Sequence, residues 1–272
     1  MIDNKYFAID AHTHIYPEKI ASRAVAGTDN FYSTKSYGEG TVENLFSVGD
    51  AAGIDKYIVQ SVATTPKQVK SINEFISREV SEFPDKLFGL GTLHPDSDDI
   101  SGDIEHLIEL GLHGVKLHPD IQNFKMDDYR CLKIYEICEK KNLPMLLHTG
   151  DNRYDNSNPN RFLPLLETYT NLTFVGAHFG GWSIWAEAYK TLAGKPNLYV
   201  DCSSSFYYMT DDDVKTVINA FGVDRVLFGT DYPMWNAKTE VERLLGLGLS
   251  ESDYKKIFSE NAIRAFSIDK WK

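Results

Sequence analysis

Two histidines stand two residues apart in Ala8-Ile9-Asp10-Ala11-His12-Thr13-His14, at the end of a short apolar run. In a strand, residues i and i+2 point to the same side, with α-carbons about 6.5–7 Å apart. Two imidazoles so placed can converge on one ion at about 2.0–2.1 Å each. The pattern of apolar run and polar end then recurs: His148 follows Met145-Leu146-Leu147, His178 follows Val175-Gly176-Ala177, and Asp231 follows Leu227-Phe228-Gly229-Thr230. Imidazole nitrogens with a carboxylate oxygen are donors for a divalent transition ion, which can activate water and polarise a carbonyl group. One His-X-His pair is a weak motif, and one histidine at a strand end is more often a satisfied polar terminus than a ligand. Histidines at three strand ends with an aspartate at a fourth point to a metal centre.

For these residues to meet, their strands must end on one side of the fold. Short apolar, β-branched runs occupy residues 7–15, 56–63, 87–93, 114–119, 144–150, 173–180, 198–204 and 225–233. Their starts are separated by 49, 31, 27, 30, 29, 25 and 27 residues. After the first gap, that is the interval of one strand, one helix and two short loops. Eight such units predict a closed (β/α)8 TIM barrel, an α/β fold, formed as a single domain over residues 1–272. In such a barrel the strand ends that carry His12, His14, His148, His178 and Asp231 share the mouth where active sites are built.

The helices between the runs are legible from periodicity and caps. Residues 127–141 place Tyr129, Leu132, Ile134, Tyr135 and Cys138 at three- and four-residue spacings. Thr210 ahead of Asp211-Asp212-Asp213 reads as a cap with carboxylates at a positive helix start. Gly111, Gly194 and Gly222 follow helical runs, where C-terminal caps belong. The long first gap is an insertion after strand 1, residues 16–40, rich in Gly, Ser, Thr and Tyr, ahead of a helix at about 41–52. It is either a lid over the mouth or a surface loop with one extra helix.

Other side chains fall near that mouth. In Gly114-Val115-Lys116-Leu117-His118-Pro119 the alternation puts Lys116 and His118 on one face, expected to be the barrel interior. His118 reads as a substrate contact or a donor to a ligand. Asp10, two residues before His12, reads as sharing the face of His12 and His14, either orienting a ligand or pairing with a lysine. The later loops carry Arg153 and Arg161, either of which can fork onto a substrate carboxylate, and aromatic residues such as Trp182 and Trp235 that suit a small-molecule pocket. His94 reads as a loop residue, and His106 and His113 as surface residues.

Composition narrows the partners. Lys+Arg total 28 against 39 Asp+Glu, a net charge of −11, so nothing would neutralise the phosphates of a nucleic acid or an anionic membrane. No apolar run approaches the roughly 18 residues of a spanning helix, and Met1-Ile2-Asp3-Asn4-Lys5 does not read as a signal peptide. Cys131, Cys138 and Cys202 form no pairing motif and read as buried small hydrophobes of a reduced, cytoplasmic protein. The expected partner is a small-molecule substrate, and a homo-oligomer is compatible.

The motifs His12-Thr13-His14, the strand-end His148 and His178, and Gly229-Thr230-Asp231-Tyr232-Pro233 resemble those of the amidohydrolase superfamily of metal-dependent barrels. Residues 260–266 (Glu-Asn-Ala-Ile-Arg-Ala-Phe) are similar to the closing helix of the branch that includes aminocarboxymuconate semialdehyde decarboxylase. The resemblance implies that His12, His14, His148 and Asp231 bind one divalent metal ion, with Zn²⁺ expected and Mn²⁺ or Fe²⁺ compatible. It implies that His178 acts on the metal-bound water, with Asp231 or His178 as the proton acceptor. Lys116 then has three readings: a carboxylated bridge to a second metal, a free ammonium that binds a substrate carboxylate, or a buried partner of Asp10 or another acid. A single metal and an unmodified Lys116 are the expectation. The main functional reading is a metal-dependent hydrolase acting on an amide, lactone or related bond of a small carboxylate-bearing molecule. The alternative is a non-oxidative decarboxylase, a carbon–carbon lyase on the same site, which releases CO₂ without consuming water. A metal-free phosphate-binding or sensor barrel is a third, and residues 203–205 are a faint substitute for its glycine-rich loop.

Overall fold

A computed structural model describes residues 1–271. Among the described residues nine strands form: β1 Ile9–His14, β2 Lys56–Gln60, β3 Leu87–Gly89, β4 Gly91–Thr92, β5 Val115–Leu117, β6 Met145–Leu147, β7 Phe174–Gly176, β8 Leu198–Asp201 and β9 Val226–Leu227. All ladder pairs are parallel, in the orders β1-β2-β3 and β4-β5-β6-β7-β8-β9. β3 and β4 are one barrel strand interrupted at Leu90, whose N–H bonds to Val59 before Gly91 N–H turns to Gly114. The circle closes where Ala11 N–H reaches Phe228 O at 2.9 Å and Thr13 bridges Tyr232. The result is the eight-stranded α/β TIM barrel that the spacing predicts, with the helices outside it.

The helices are α1 Glu18–Tyr32, α2 Val42–Ala52, α3 Val69–Glu82, α4 Ile100–Glu109, α5 Pro119–Gln122, α6 Tyr129–Lys141, α7 Pro159–Thr168, α8 Trp185–Leu192, α9 Asp211–Phe221, α10 Ala237–Gly246, α11 Glu251–Lys255 and α12 Asn261–Phe266. Among the described residues no helix is long and apolar enough to cross a membrane. Thr210 caps α9 by accepting from Asp213 N–H, and Asp213 returns the bond to Thr210 N–H. Gly111, Gly194 and Gly222 have the positive φ of helix ends, +72°, +83° and +87°. The buried face of α6 is Cys131, Ile134, Tyr135 and Cys138, whereas Tyr129, 81% exposed, and Leu132, 41% exposed, lie off it. All three cysteines are free and buried.

Alternation sorts the core into two layers. Val115, Leu117, Met145, Leu147, Phe174 and Val200 pack outward under the helices. Ile58, Leu146, Val175 and Leu227 fill the interior with Ile9 and Ala11, and Phe266, Ile268 and Trp271 pack against the same cluster. Lys270 Nζ bonds to the carbonyls of Pro84 and Leu87 at the start of β3, so the C-terminal segment plugs the end opposite the histidines.

Two expectations change here. The register of β1 shifts between Asp10 and Thr13, a bulge that breaks the two-residue period. Asp10 therefore leaves the face of His12 and His14 and accepts from Thr230 N–H, Thr230 Oγ1–H and His12 N–H, and among the described residues no lysine pairs with it. The insertion is no plain loop either. It holds the 15-residue α1, whose Ile20, Arg23, Ala24, Gly27, Thr28 and Phe31 lie at helical spacing on one face and line the cavity over the mouth.

Candidate metal centre

His12 is oriented from behind. Its Nδ1–H donates to Asp201 Oδ2 at 2.9 Å, which leaves the Nε2 lone pair facing the mouth. There Nε2 of His12 lies 3.2 Å from Nε2 of His14 and 3.3 Å from Asp231 Oδ1, and His14 Nε2 lies 3.5 Å from the same oxygen. A tetrahedral site with bonds of about 2.0–2.1 Å has ligand–ligand edges of about 3.3–3.4 Å. The triangle matches that edge. Burial holds both imidazoles well below the usual histidine range, and the nearby Lys116 cation adds to the effect. They are therefore neutral, as ligation requires.

A second pair faces the same cavity. His148 Nε2–H donates to Gly150 O at 3.0 Å, and His178 Nδ1–H donates to Ser203 O at 3.1 Å. Those two bonds place His148 Nδ1 and His178 Nε2, both lone-pair atoms, face to face at 3.0 Å. Such a contact repels unless a cation lies against it. Burial depresses His148 strongly and His178 to about 4, so at neutral pH a proton is not that cation. The rings of His12 and His178 are 5.2 Å apart, and all five residues line one cavity. The donor set fits a divalent ion.

Asp201 was not singled out in the sequence, although it ends β8 as His148 and His178 end their runs. Its Oδ1 accepts from the backbone N–H groups of His178 and Ser203 at 3.1 and 3.0 Å and from the Ser203 hydroxyl. One fully buried carboxylate thus fixes residues from two strands. Asp231 is braced in turn: Trp235 Nε1–H donates to Ser204 Oγ at 2.7 Å, and Ser204 donates to Asp231 Oδ2 at 2.6 Å. Burial raises the Asp231 carboxyl to about 7 against the opposing Ser204 bond and Lys116 charge. Asp120 is a further unpredicted neighbour, 3.5 Å from His148 Nε2 and bonded by the Ser157 hydroxyl.

The other sequence candidates take varied places. Lys116 is fully buried and lines the cavity, with Nζ 3.1 Å from His12 Nε2; burial lowers its pKa, while Asp231 and Asp201 oppose the shift. Among the described residues no carboxylate lies within ion-pair distance of it, so the pairing with Asp10 does not form. His118 lines the cavity and stacks on His148 with ring centres 3.9 Å apart. Arg153 is engaged elsewhere. Its guanidinium grips Asp151, donates to Phe31 O at 2.7 Å and lies 5.1 Å from the Phe31 and Tyr32 ring centres, so it staples the end of α1 to the loop after β6. Arg161 pairs with Asp127 and Asp155. His94 Nδ1 accepts from Asp96 N–H in its own loop.

The cavity holds about 500 Å³ between this floor and the inner face of α1. That is the size of a site for one small molecule. Residues 9–268 match the amidohydrolase family. The chain belongs to the amidohydrolase family. Over 117 residues the chain is 30% identical to 2-amino-3-carboxymuconate-6-semialdehyde decarboxylase of Dictyostelium discoideum, a stretch covering 40% of the chain and 32% of that protein's length. The fold is similar to an uncharacterized TIM-barrel protein of Bordetella bronchiseptica, with a TM-score of 0.79, 23% identity and coverage of 96% of this chain and 98% of that one. It is also similar to 5-carboxyvanillate decarboxylase of Novosphingobium aromaticivorans, solved with manganese and 4-hydroxy-3-methoxy-5-nitrobenzoic acid, with a TM-score of 0.74, 17% identity and 96% coverage of both chains. The chain is an enzyme of the amidohydrolase superfamily, as its motifs implied.

Two outcomes follow from these contacts. Asp201→Asn, read by competition with a chromogenic chelator, weakens divalent-ion binding about 10–100-fold; unchanged affinity contradicts the orienting role of Asp201. Arg153→Ala exposes α1, so limited proteolysis within residues 18–37 becomes several times faster. The melting temperature moves little, since a domain of this size loses about 2–4 °C per kcal/mol. A wild-type cleavage rate shows that Arg153 does not staple the helix.

Proposed function

We propose that this enzyme is a metal-dependent, non-oxidative decarboxylase of a small oxygenated, unsaturated or aromatic carboxylate. The observation that carries the reading is the floor itself: neutral imidazoles, Asp231 and the buried Lys116 nitrogen converge under a cavity of about 500 Å³, which has ample room for a single-ring acid. Two of the similar proteins named above are decarboxylases, and one was solved with an aromatic acid in place. This support favours carbon–carbon cleavage over the hydrolysis that was the main expectation from sequence. Manganese in that related structure likewise weighs against a commitment to zinc.

His12, His14, His148 and Asp231 would hold one divalent ion, which supplies positive charge to stabilise negative charge developing on substrate oxygens. The Lys116 ammonium, unmodified, attracts the substrate carboxylate to the floor. His178 is neutral at rest and takes up a solvent proton at Nε2 for delivery to the substrate carbon, with Nδ1–H anchored on Ser203 O and the Asp201 charge opposing the burial that disfavours the imidazolium. The carbon–carboxyl bond breaks as that proton forms the new C–H bond. The sum is R–COO⁻ + H⁺ → R–H + CO₂, and His178 recovers its proton from solvent.

With a panel of hydroxybenzoates and unsaturated amino acids bearing a second carboxylate, one product is expected to appear per CO₂ released, with no ¹⁸O taken up from labelled water. Cleavage of an amide or lactone with ¹⁸O incorporation, and no CO₂, contradicts the proposal. His178→Ala is expected to keep its metal and lose about 10²–10⁴-fold in kcat. Loss of metal with full activity after repletion contradicts the proton role of His178.

A further inference from the structure

His118 is the side chain that the sequence offers as a substrate contact, and its hydrogen bonds assign it another task. Its backbone N–H donates to Gln122 Oε1 at 2.8 Å, and its Nδ1 accepts from Ile121 N–H at 3.2 Å, so it caps α5. A nitrogen that accepts carries no proton. The neutral ring must then carry its hydrogen on Nε2. Nε2 lies 2.7 Å from the hydroxyl of Tyr32, so His118 donates and the Tyr32 oxygen accepts. The phenolic hydrogen of Tyr32 is left over, and among the described residues no acceptor takes it.

That hydrogen is well placed. Tyr32 is half-buried at the C-terminal end of α1, with its ring edge-on to Trp182 at 5.4 Å and under the Arg153 guanidinium. Its ring centre is 6.2 Å from that of His148. It lines both the main cavity and a slot of about 20 Å³, and both of these reach His148, His178 and Asp231. A donor that has lost water on ligand entry costs free energy unless the ligand brings an acceptor.

We propose that Tyr32 donates its O–H to a hydroxyl, phenolate or carbonyl oxygen of the substrate, with His118 as the positioning residue that aims it. Resting on the decarboxylase reading, this narrows the substrate to an acid with an oxygen acceptor in addition to the carboxylate that Lys116 attracts.

The test is equilibrium binding to the metal-loaded protein of two probes of similar shape, 2,6-dihydroxybenzoate with acceptor oxygens and 2,6-dimethylbenzoate without. Wild type, Tyr32→Phe and His118→Asn are compared, the asparagine being a competent helix cap. Tyr32→Phe is expected to weaken the dihydroxy probe about tenfold, and His118→Asn about threefold, the scale of one neutral hydrogen bond. The dimethyl probe is expected to bind all three proteins alike, with metal content unchanged. Equal losses for both probes, or no loss for either, overturn the assignment, as does failure of the dihydroxy probe to bind wild type. Probe-selective loss with no CO₂ from any acid leaves Tyr32 in place and removes only the decarboxylase reading.

Discussion

The mouth of this barrel gathers lone pairs that face one another in a buried place. His12, His14, His148 and His178 are held unprotonated by burial, and Asp231 is crowded among them. Such an arrangement is unfavourable by itself. The protein sustains it because every strand is parallel, so residues distant in sequence are delivered to one rim with little freedom to withdraw. The backbone contributes strain too. His178, Ser204 and Asp231 have φ of +58°, +52° and +57°, a left-handed conformation that costs a non-glycine residue roughly 1 kcal/mol or more. Strain clustered at the ends of three strands is a sign of a site built for a ligand.

Floor and wall differ in how they are made. The floor is a closed network centred on Asp201, which ties His12 to His178 through direct bonds and through Ser203. The wall is a helix with one buried residue, Ala21, attached to the rest of the fold at its C-terminal end. That end is clamped by Arg153, and the loop beyond it bonds through Tyr37 N–H to Pro233 O at 3.0 Å. A rigid floor with an added wall lets one scaffold keep its metal chemistry while the cavity shape changes with the insertion. Tyr32, on the wall but bonded to the floor through His118, joins the two parts.

Much of this was legible in the sequence because a parallel barrel turns a one-dimensional pattern, apolar run then polar residue, into a shared location. That logic found the strands and the polar residues at their ends. It misses Asp201 because a carboxylate closing Leu198-Tyr199-Val200 reads as part of the run. The two-residue period also misplaced Asp10, since a bulge in β1 leaves no mark in residue types. The 16–40 segment hid α1 because its composition favours loops, and its helix is set by the cavity beneath it. Arg153 and His118 were recognisable as polar residues near the mouth. What they bond to depends on Phe31, Asp151, Ile121 and Tyr32, which only the fold brings close.

Facing lone pairs at the mouth require a bound divalent ion. Elemental analysis of protein purified without chelators, joined to X-ray absorption at the edge of the element found, tests this requirement most directly. About one equivalent of a divalent transition ion per chain is expected, in a shell of nitrogen and oxygen that includes imidazoles. Protein free of such ions that also fails to take one up tightly on titration contradicts it.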